Sequence, residues 1–423
     1  MLPHTLKEKY AFAKYQKLIV ISLVIGFLAA LLAISLKRIT EYYEEILFHQ
    51  TQQSNIYLIV FPFFGLSLIF ILRQYLFKKK ENKGIKEVFE STDTGKNLPS
   101  YKIPSHFING LLTVSFGGST GIEVSTVVST AAIGSLAQEK EKIFKKYKTE
   151  LICAGVTAGI TALFCSPLAG LLFAYEVVSK KVNKVFLVTN ILAAAIAFGF
   201  ILVLKEKPLF AISITQWHLH AIPYFVLLGV LCGLNSIYLT RCVFFFKAQF
   251  SKFSNHYYKI LLGAAIISLI LFVFPQLYGD GYHAMKQSIL TANTLSLTLP
   301  HVIGLVGILL LKPIITSITL SSGGDGGVFA PSLFIGAFLG LFLAAILNTY
   351  FNAGVIPINF MVIGMAATLS ASIHAPFTAL FLVCGLINDY TLFIPILVIS
   401  LIAKYTAKAI YPYTVYTLSP VKK

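Results

Sequence analysis

Residues 117–126 read GGSTGIEVST: a single carboxylate, Glu123, stands directly behind a run of glycines inside otherwise apolar sequence. Glycine lets the chain turn tightly and leaves the backbone amides unshielded by side chains. The residues that follow, IEVSTVVSTAA, read as a helix start, whose first amides have no intrahelical partner. Free amides and the positive end of a helix dipole together make a seat for an anion out of backbone alone. Glu123 is then a tethered competitor for that seat: ionised it fills the place, protonated it swings out and leaves it to a free anion. Burial opposes its charge while the helix start favours it, so the proton becomes the switch. An ionisable group inside a membrane is a functional candidate by default; the plainer role for this one is to cap its helix.

The chain repeats this chemistry. Ser115–Ser125, SFGGSTGIEVS, aligns without a gap on Ser321–Pro331, SSGGDGGVFAP, and SPLAGLLF at Ser166–Phe173 aligns on APFTALFL at Ala375–Leu382, with Pro167 over Pro376. The two offsets, 206 and 209 residues, are nearly equal. Small residues recur in many membrane helices, but two matches at one shift indicate duplicated halves, repeat one over about 18–204 and repeat two over about 221–410. Duplicated halves with Gly- or Pro-interrupted helices are the pattern of transporter folds whose broken helices meet near the bilayer midplane, and an inverted arrangement is favoured. GGDGG opens VFAPSLFIGAF as GGSTG opens IEVS, so both halves aim helix-start amides at one shared anion site.

Elements able to position such a site must lie in a bilayer. Of 423 residues 57% are hydrophobic and only 12% charged, too few to clothe a water-soluble domain. Apolar runs recur over Leu18–Leu36, Ile56–Phe77, Leu151–Phe164, Val185–Leu204, Ile222–Leu239, Ile260–Phe274, Val302–Leu311, Leu333–Leu347 and Leu392–Ala403; several are shorter than a full crossing and read as partial or tilted helices. No barrel-type alternation appears, so the expectation is an all-α integral membrane protein. The net charge of +17 sits in short segments between the runs (Lys7–Lys17, Lys78–Lys86, Lys140–Lys148, Lys180–Lys184 and Arg241–Lys252), which read as cytoplasmic loops and exclude nucleic-acid binding for want of a reading motif. The first apolar run reads as an uncleaved span with a cytoplasmic N-terminus. The five cysteines match no metal or disulfide spacing and read as packing residues.

With these residues in place, the chain resembles the CLC chloride channels and proton-coupled chloride transporters. GGSTGIEVS is similar to their GREGP segment, GVFAP (Gly327–Pro331) to their GxFxP segment, Ala154–Val177 to their helix pair G and H, GDGYHAM (Gly279–Met285) to their GxGY segment, and TVYT (Thr414–Thr417) to their tyrosine motif. The resemblance covers almost the whole chain as one transmembrane domain and includes no cytoplasmic CBS pair. It implies Glu123 as the external gating glutamate, chloride sites lined by Gly121, Ile122, Glu123, Val328 and Phe329, the Tyr416 hydroxyl facing the central ion, and a homodimer with a pore in each subunit, in the cell membrane. Neither the residues nor the resemblance requires a cofactor or a metal; the ligand is chloride or a similar small anion, with protons as a further partner.

Three departures from the family pattern bear on mechanism. NKGIK (Asn82–Lys86) stands for GSGIP and puts Lys83 at the uncertain central-site position; GIEVS loses the arginine and proline of GREGP; and FAYEV supplies Glu176 but places Val177 where transporters often carry the internal proton-transfer glutamate. The last tilts the reading toward a glutamate-gated chloride channel, with proton-coupled exchange as the alternative. Two other classes were weighed: an intramembrane serine protease using Ser119 and His374, and a cation or solute carrier on the same scaffold, which the amide-presenting motifs disfavour. Among the remaining polar residues, Asp325 reads as a helix cap, Lys312 as a lysine snorkelling to an interface and His374 as a hydrogen-bonded core residue.

Overall fold

The structure, a computed structural model, describes residues 4–78, 82–140, 146–210, 212–295 and 297–417, with side chains from residue 15 onward. Sixteen α-helices are found among the described residues. The first half holds α1 (His4–Gln53), α2 (Ile56–Ile71), α3 (Lys86–Thr94), α4 (Lys102–Ser115), α5 (Glu123–Lys140), α6 (Lys148–Phe164), α7 (Pro167–Phe173) and α8 (Lys184–Val203). The second holds α9 (Ile222–Ser251), α10 (His256–Val273), α11 (Tyr282–Thr291), α12 (Leu299–Ser321), α13 (Phe329–Phe351), α14 (Pro357–Ile373), α15 (Pro376–Ile387) and α16 (Phe393–Ile410). Eight of the described helices are long and apolar enough to cross a membrane, and their outer faces leave residues such as Val203, Leu269 and Val273 exposed, as lipid contact requires.

The duplication is visible residue by residue. α6 ends at Cys165 and α14 at His374, both in the left-handed conformation with φ of 53° and 56°, and in each case a proline two residues later opens a short helix. The short helices pack against each other head to tail: Gly385, near the end of α15, lies against Ser166 at the start of α7, while Glu176, just after α7, accepts hydrogen bonds from the amide and hydroxyl of Thr378 at the start of α15, each at 2.7 Å. Equivalent elements running in opposite directions are what an inverted repeat produces, and they establish the two halves as inverted-topology repeats.

Several sequence expectations give way to the packing. Arg241–Lys252 is not a loop: it forms the last turns of α9 and the residue that ends it, a basic helix end that charge alone cannot tell from a connection. The run Leu18–Leu36 is the middle of the 50-residue α1. Leu151–Phe164 is buried at every position, so α6 is an inner element surrounded by protein. The segments expected at Lys78–Lys86 and Lys140–Lys148 lie partly outside the described residues. The helices α4, α14 and α15 were not among the expected runs, because they are short or carry polar residues whose partners are inside the protein.

Close approach in the inner layer depends on missing side chains. Where α13 crosses α14, a Cβ added to Gly336 or to Gly364 would meet the other residue's carbonyl, and the two backbones touch there. A methyl group must push the helices apart. Gly364→Ala is therefore expected to destabilise the protein by about 1–3 kcal/mol, whereas Gly199→Ala, where a Cβ meets nothing within 4 Å, is expected to be neutral or stabilising by up to about 1 kcal/mol. Thermal unfolding of the detergent-solubilised variants measures both.

Candidate functional site

The two glycine motifs meet. Gly121 and Gly327 form an antiparallel bridge, with Gly121 N donating to Gly327 O at 3.4 Å and Gly327 N to Gly121 O at 3.2 Å. This pairing uses two of the amides the sequence left free and fixes the others. Thr126 N and Ser332 N are the donors that close the first turns, onto Ile122 O and Val328 O at 2.8 and 2.9 Å. The amides of Ile122–Ser125 and Val328–Ala330 precede those bonds, at helix starts held side by side.

Glu123 is 2% exposed, and its carboxylate folds back over Gly121 so closely that a Cβ at 121 would overlap it. Oε1 accepts a hydrogen bond of 2.7 Å from the Tyr282 hydroxyl. Its own amide and that of Ala330 are the backbone dipoles acting on the carboxylate, yet neither makes a well-directed bond to Oε2, which is buried without a partner. Glu123 is thus held by one strong donor and by dipoles, an arrangement that keeps it in place without locking it. It does not cap α5 with its side chain in the way the plainer reading had it.

Two cavities lie at this junction, the smaller lined by Glu123 itself and the larger by its neighbour Val124. One, of about 140 Å³, is lined by Lys83, Lys86, Lys247, Gly327, Val328 and Tyr416, among others. The second, of about 30 Å³, is lined by Glu123 itself with Ile122, Lys37, Glu41, Asp280 and Tyr282, among others. On the first side the Tyr416 hydroxyl is buried without a partner, its ring 6.4 Å from that of Phe329. The sequence-predicted residues Gly121, Ile122, Glu123, Val328, Phe329 and Tyr416 therefore converge on one place. Lys83 reaches the same larger cavity, but its side chain is exposed and its amide donates to Glu87 Oε1, a carboxylate that also takes the Lys102 ammonium at 2.7 Å.

Other polar residues play parts the sequence did not assign. Asp325 caps nothing: its Oδ1 meets His106 Nδ1 at 2.8 Å and the Ser125 hydroxyl at 2.9 Å, and its Oδ2 accepts from Asn82 at 2.6 Å with Arg73 at 3.6 Å. One carboxylate thereby joins the π-helical turn Leu72–Leu76 after α2, the helices α4 and α5, and the Asn82 segment to the second glycine motif. Lys312 does not snorkel. It is fully buried in α12, its ammonium 3.3 Å from the carbonyls of Gly279 and Asp280, 3.5 Å from that of Leu277 and 4.5 Å above the Phe334 ring. His374 Nε2 is buried but makes no hydrogen bond, against expectation, and the residue instead makes the left-handed turn that ends α14. Ser119 Oγ pairs with Thr316 at 3.2 Å and not with His374, so the protease pair is not assembled. Tyr282 and Lys312 were hidden for the same reason: an isolated tyrosine or lysine in apolar sequence carries no periodic or pairing signal.

A family model described as voltage gated chloride channel matches residues 64–408. The chain is 28% identical over 380 residues to an uncharacterized protein of Methanocaldococcus jannaschii, covering 86% of this chain and 88% of that one. It is 28% identical to the voltage-gated ClC-type chloride channel ClcB of Escherichia coli, over 72% of each chain, and 25% identical to the H(+)/Cl(-) exchange transporter ClcA of Vibrio cholerae, over 79% of this chain and 72% of that one. Among solved structures, a slow cyanobacterial Cl-/H+ antiporter shares its fold with a TM-score of 0.82 at 21% identity, covering 94% of this chain and 96% of that one. A CLC-type fluoride/proton antiporter does so with a TM-score of 0.77 at 23% identity, over 95% and 97%.

The Asp325 hub sets the rigidity of the second glycine motif. Asp325→Ala leaves the buried His106 without its carboxylate and is expected to cost about 3–5 kcal/mol, read as a lower unfolding temperature of the purified protein. An Asp325→Asn variant, which keeps two acceptor or donor positions for Asn82 and Ser125, is expected to lose less.

Proposed function

Since the chain belongs to the voltage gated chloride channel family, the CLC family, we propose that it moves chloride through a pathway between the two glycine breaks, opened and closed by Glu123. The observation that carries this reading is the place of the carboxylate. It lies over Gly121 and by the Ala330 amide, lines the smaller cavity itself, and is next in the chain to Val124, which lines the larger one.

In this reading the amides at Ile122, Glu123, Val328 and Phe329 receive the anion, whose charge they match at no cost in reorganisation. The unpartnered Tyr416 hydroxyl supplies a donor from the larger cavity. Protonation turns Glu123 from a competitor into a neutral group with no claim on those amides, and the chain of events is chloride entry, displacement of the acid and passage. In this reading the protein sits in the cell membrane with its N-terminus in the cytoplasm, and the lysines of the larger cavity support a cytoplasmic mouth there. Two copies associate as a homodimer in this reading, each with its own pathway.

Passive conduction is the first reading of mechanism. Val177 is buried beside Ala174 and Val178, and the neighbouring Glu176 is engaged by Thr378, so this segment offers apolar packing and a committed carboxylate where a proton would have to travel. Proton-coupled exchange, the activity in the name of the Vibrio cholerae relative, is the alternative. Liposomes containing the purified protein, with chloride efflux and external pH recorded together, separate the two: a channel releases chloride without stoichiometric proton uptake.

Two variants test the gate. Glu123→Gln is expected to raise chloride efflux at neutral pH several-fold and to flatten its pH dependence. Gly121→Ala, whose new methyl group must push the carboxylate from its seat, is expected to move efflux in the same direction while leaving Glu123 ionisable. Unchanged efflux and pH dependence in Glu123→Gln would end the gating proposal.

A further inference from the structure

We propose that Tyr282 is a positioning residue for Glu123: its hydroxyl latches the carboxylate in the seat, and the buried ammonium of Lys312 clamps the loop that carries it. The inference deepens the gating reading and rests on it. Tyr282 is the first residue of α11, and its placement is determined from three directions. Gly281 takes a φ of +90°, at a point where a Cβ would strike the Phe334 ring, so the chain turns sharply just before the tyrosine. The Tyr282 amide donates to Asp280 Oδ1 at 2.8 Å, closing a local turn. Lys312 gathers the carbonyls of Leu277, Gly279 and Asp280, which lie immediately upstream.

With its backbone so held and its ring set edge-on to Phe210 at a centroid distance of 5.8 Å, the tyrosine has its hydroxyl fixed 2.7 Å from Glu123 Oε1. A hydroxyl donating to a carboxylate is among the stronger hydrogen bonds. It favours the ionised, seated acid over the protonated, departing one. Oε2 makes no hydrogen bond, which leaves Tyr282 as the one directional side-chain contact of the carboxylate among the described residues. The remaining charged and titratable groups around Glu123 and Tyr282 are Lys37, Glu41 and Glu44 from α1, Asp280 from the loop, whose amide donates to Glu44 Oε1 at 3.3 Å, and Tyr416 beyond α16. None of them hydrogen-bonds to Glu123, so they bias its charge without fixing its position.

The test is Tyr282→Phe, which removes the donor and keeps the ring. Loss of a hydrogen bond to a charged group predicts a roughly tenfold easier release of the carboxylate, seen as higher chloride efflux from liposomes at neutral pH and a pH–efflux profile moved by about one unit toward alkaline pH. In a Glu123→Gln background the same substitution is expected to change neither. Tyr278→Phe is the control, since that hydroxyl, from the same loop, donates to Ser115 O at the end of α4; it is expected to lower stability and leave the profile in place. A Tyr282→Phe profile equal to that of the unaltered protein, or a shift that persists without Glu123, would overturn the latch. Infrared titration of the Glu123 carboxyl band, assigned by its loss in Glu123→Gln, keeps the two readings apart: if Glu123→Gln leaves efflux unchanged, gating fails, and the latch then stands or falls on whether Tyr282→Phe moves that band.

Discussion

In the middle of a bilayer every backbone N–H must find an acceptor, and a helix that begins there cannot satisfy its first turn from within. This chain begins two helices at one point and joins them by a two-residue antiparallel bridge between Gly121 and Gly327. The bridge disposes of two amides and sets the rest in a common direction. A side chain at either glycine would disturb the arrangement: at 121 it would push the Glu123 carboxylate aside, and at 327 it would collide with Val124. The other features of the site follow from keeping this junction intact.

The supports are buried charges, a costly material in an apolar interior. Asp325 draws His106, Arg73, Asn82 and Ser125 to the second glycine motif, and Lys312 draws three carbonyls to the first residue of α11. Each ion is surrounded by several groups of opposite polarity, so its desolvation is offset locally. The result is a pair of irregular segments, Gly323–Gly327 and Leu277–Gly281, each tied to the surrounding helices through one buried ion. Glu123 stands between them, touched by the second through Tyr282 and by the helix start next to the first through Ala330.

Much of this was legible in the sequence because it depends on residues with few alternatives. Glycine pairs at a 206-residue offset and prolines at a 209-residue offset exposed the repeat, and Glu123 was conspicuous as an acid in apolar surroundings. The same alignment sets Cys165 opposite His374, two residues with nothing in common except the left-handed turn they make. What stayed hidden were contacts made across the fold. Tyr282 is 159 residues from the carboxylate it touches and Asp325 is 219 from His106. A lysine such as Lys312 reads as interfacial until the carbonyls that surround it are known. Helix ends also resisted reading, since Arg241–Lys252 is charged yet continues α9.

The inverted repeat makes the backbone of the junction nearly the same viewed from either membrane face, and its two glycines are each other's images. Side chains break that likeness: Glu123 matches Phe329 in the alignment, one mouth carries Lys83, Lys86 and Lys247, and the other carries Glu41 and Asp280 beside Lys37. A scaffold of this kind has no built-in preference for inward or outward flow. Direction within this scaffold is therefore written in side-chain charge and not in the course of the backbone.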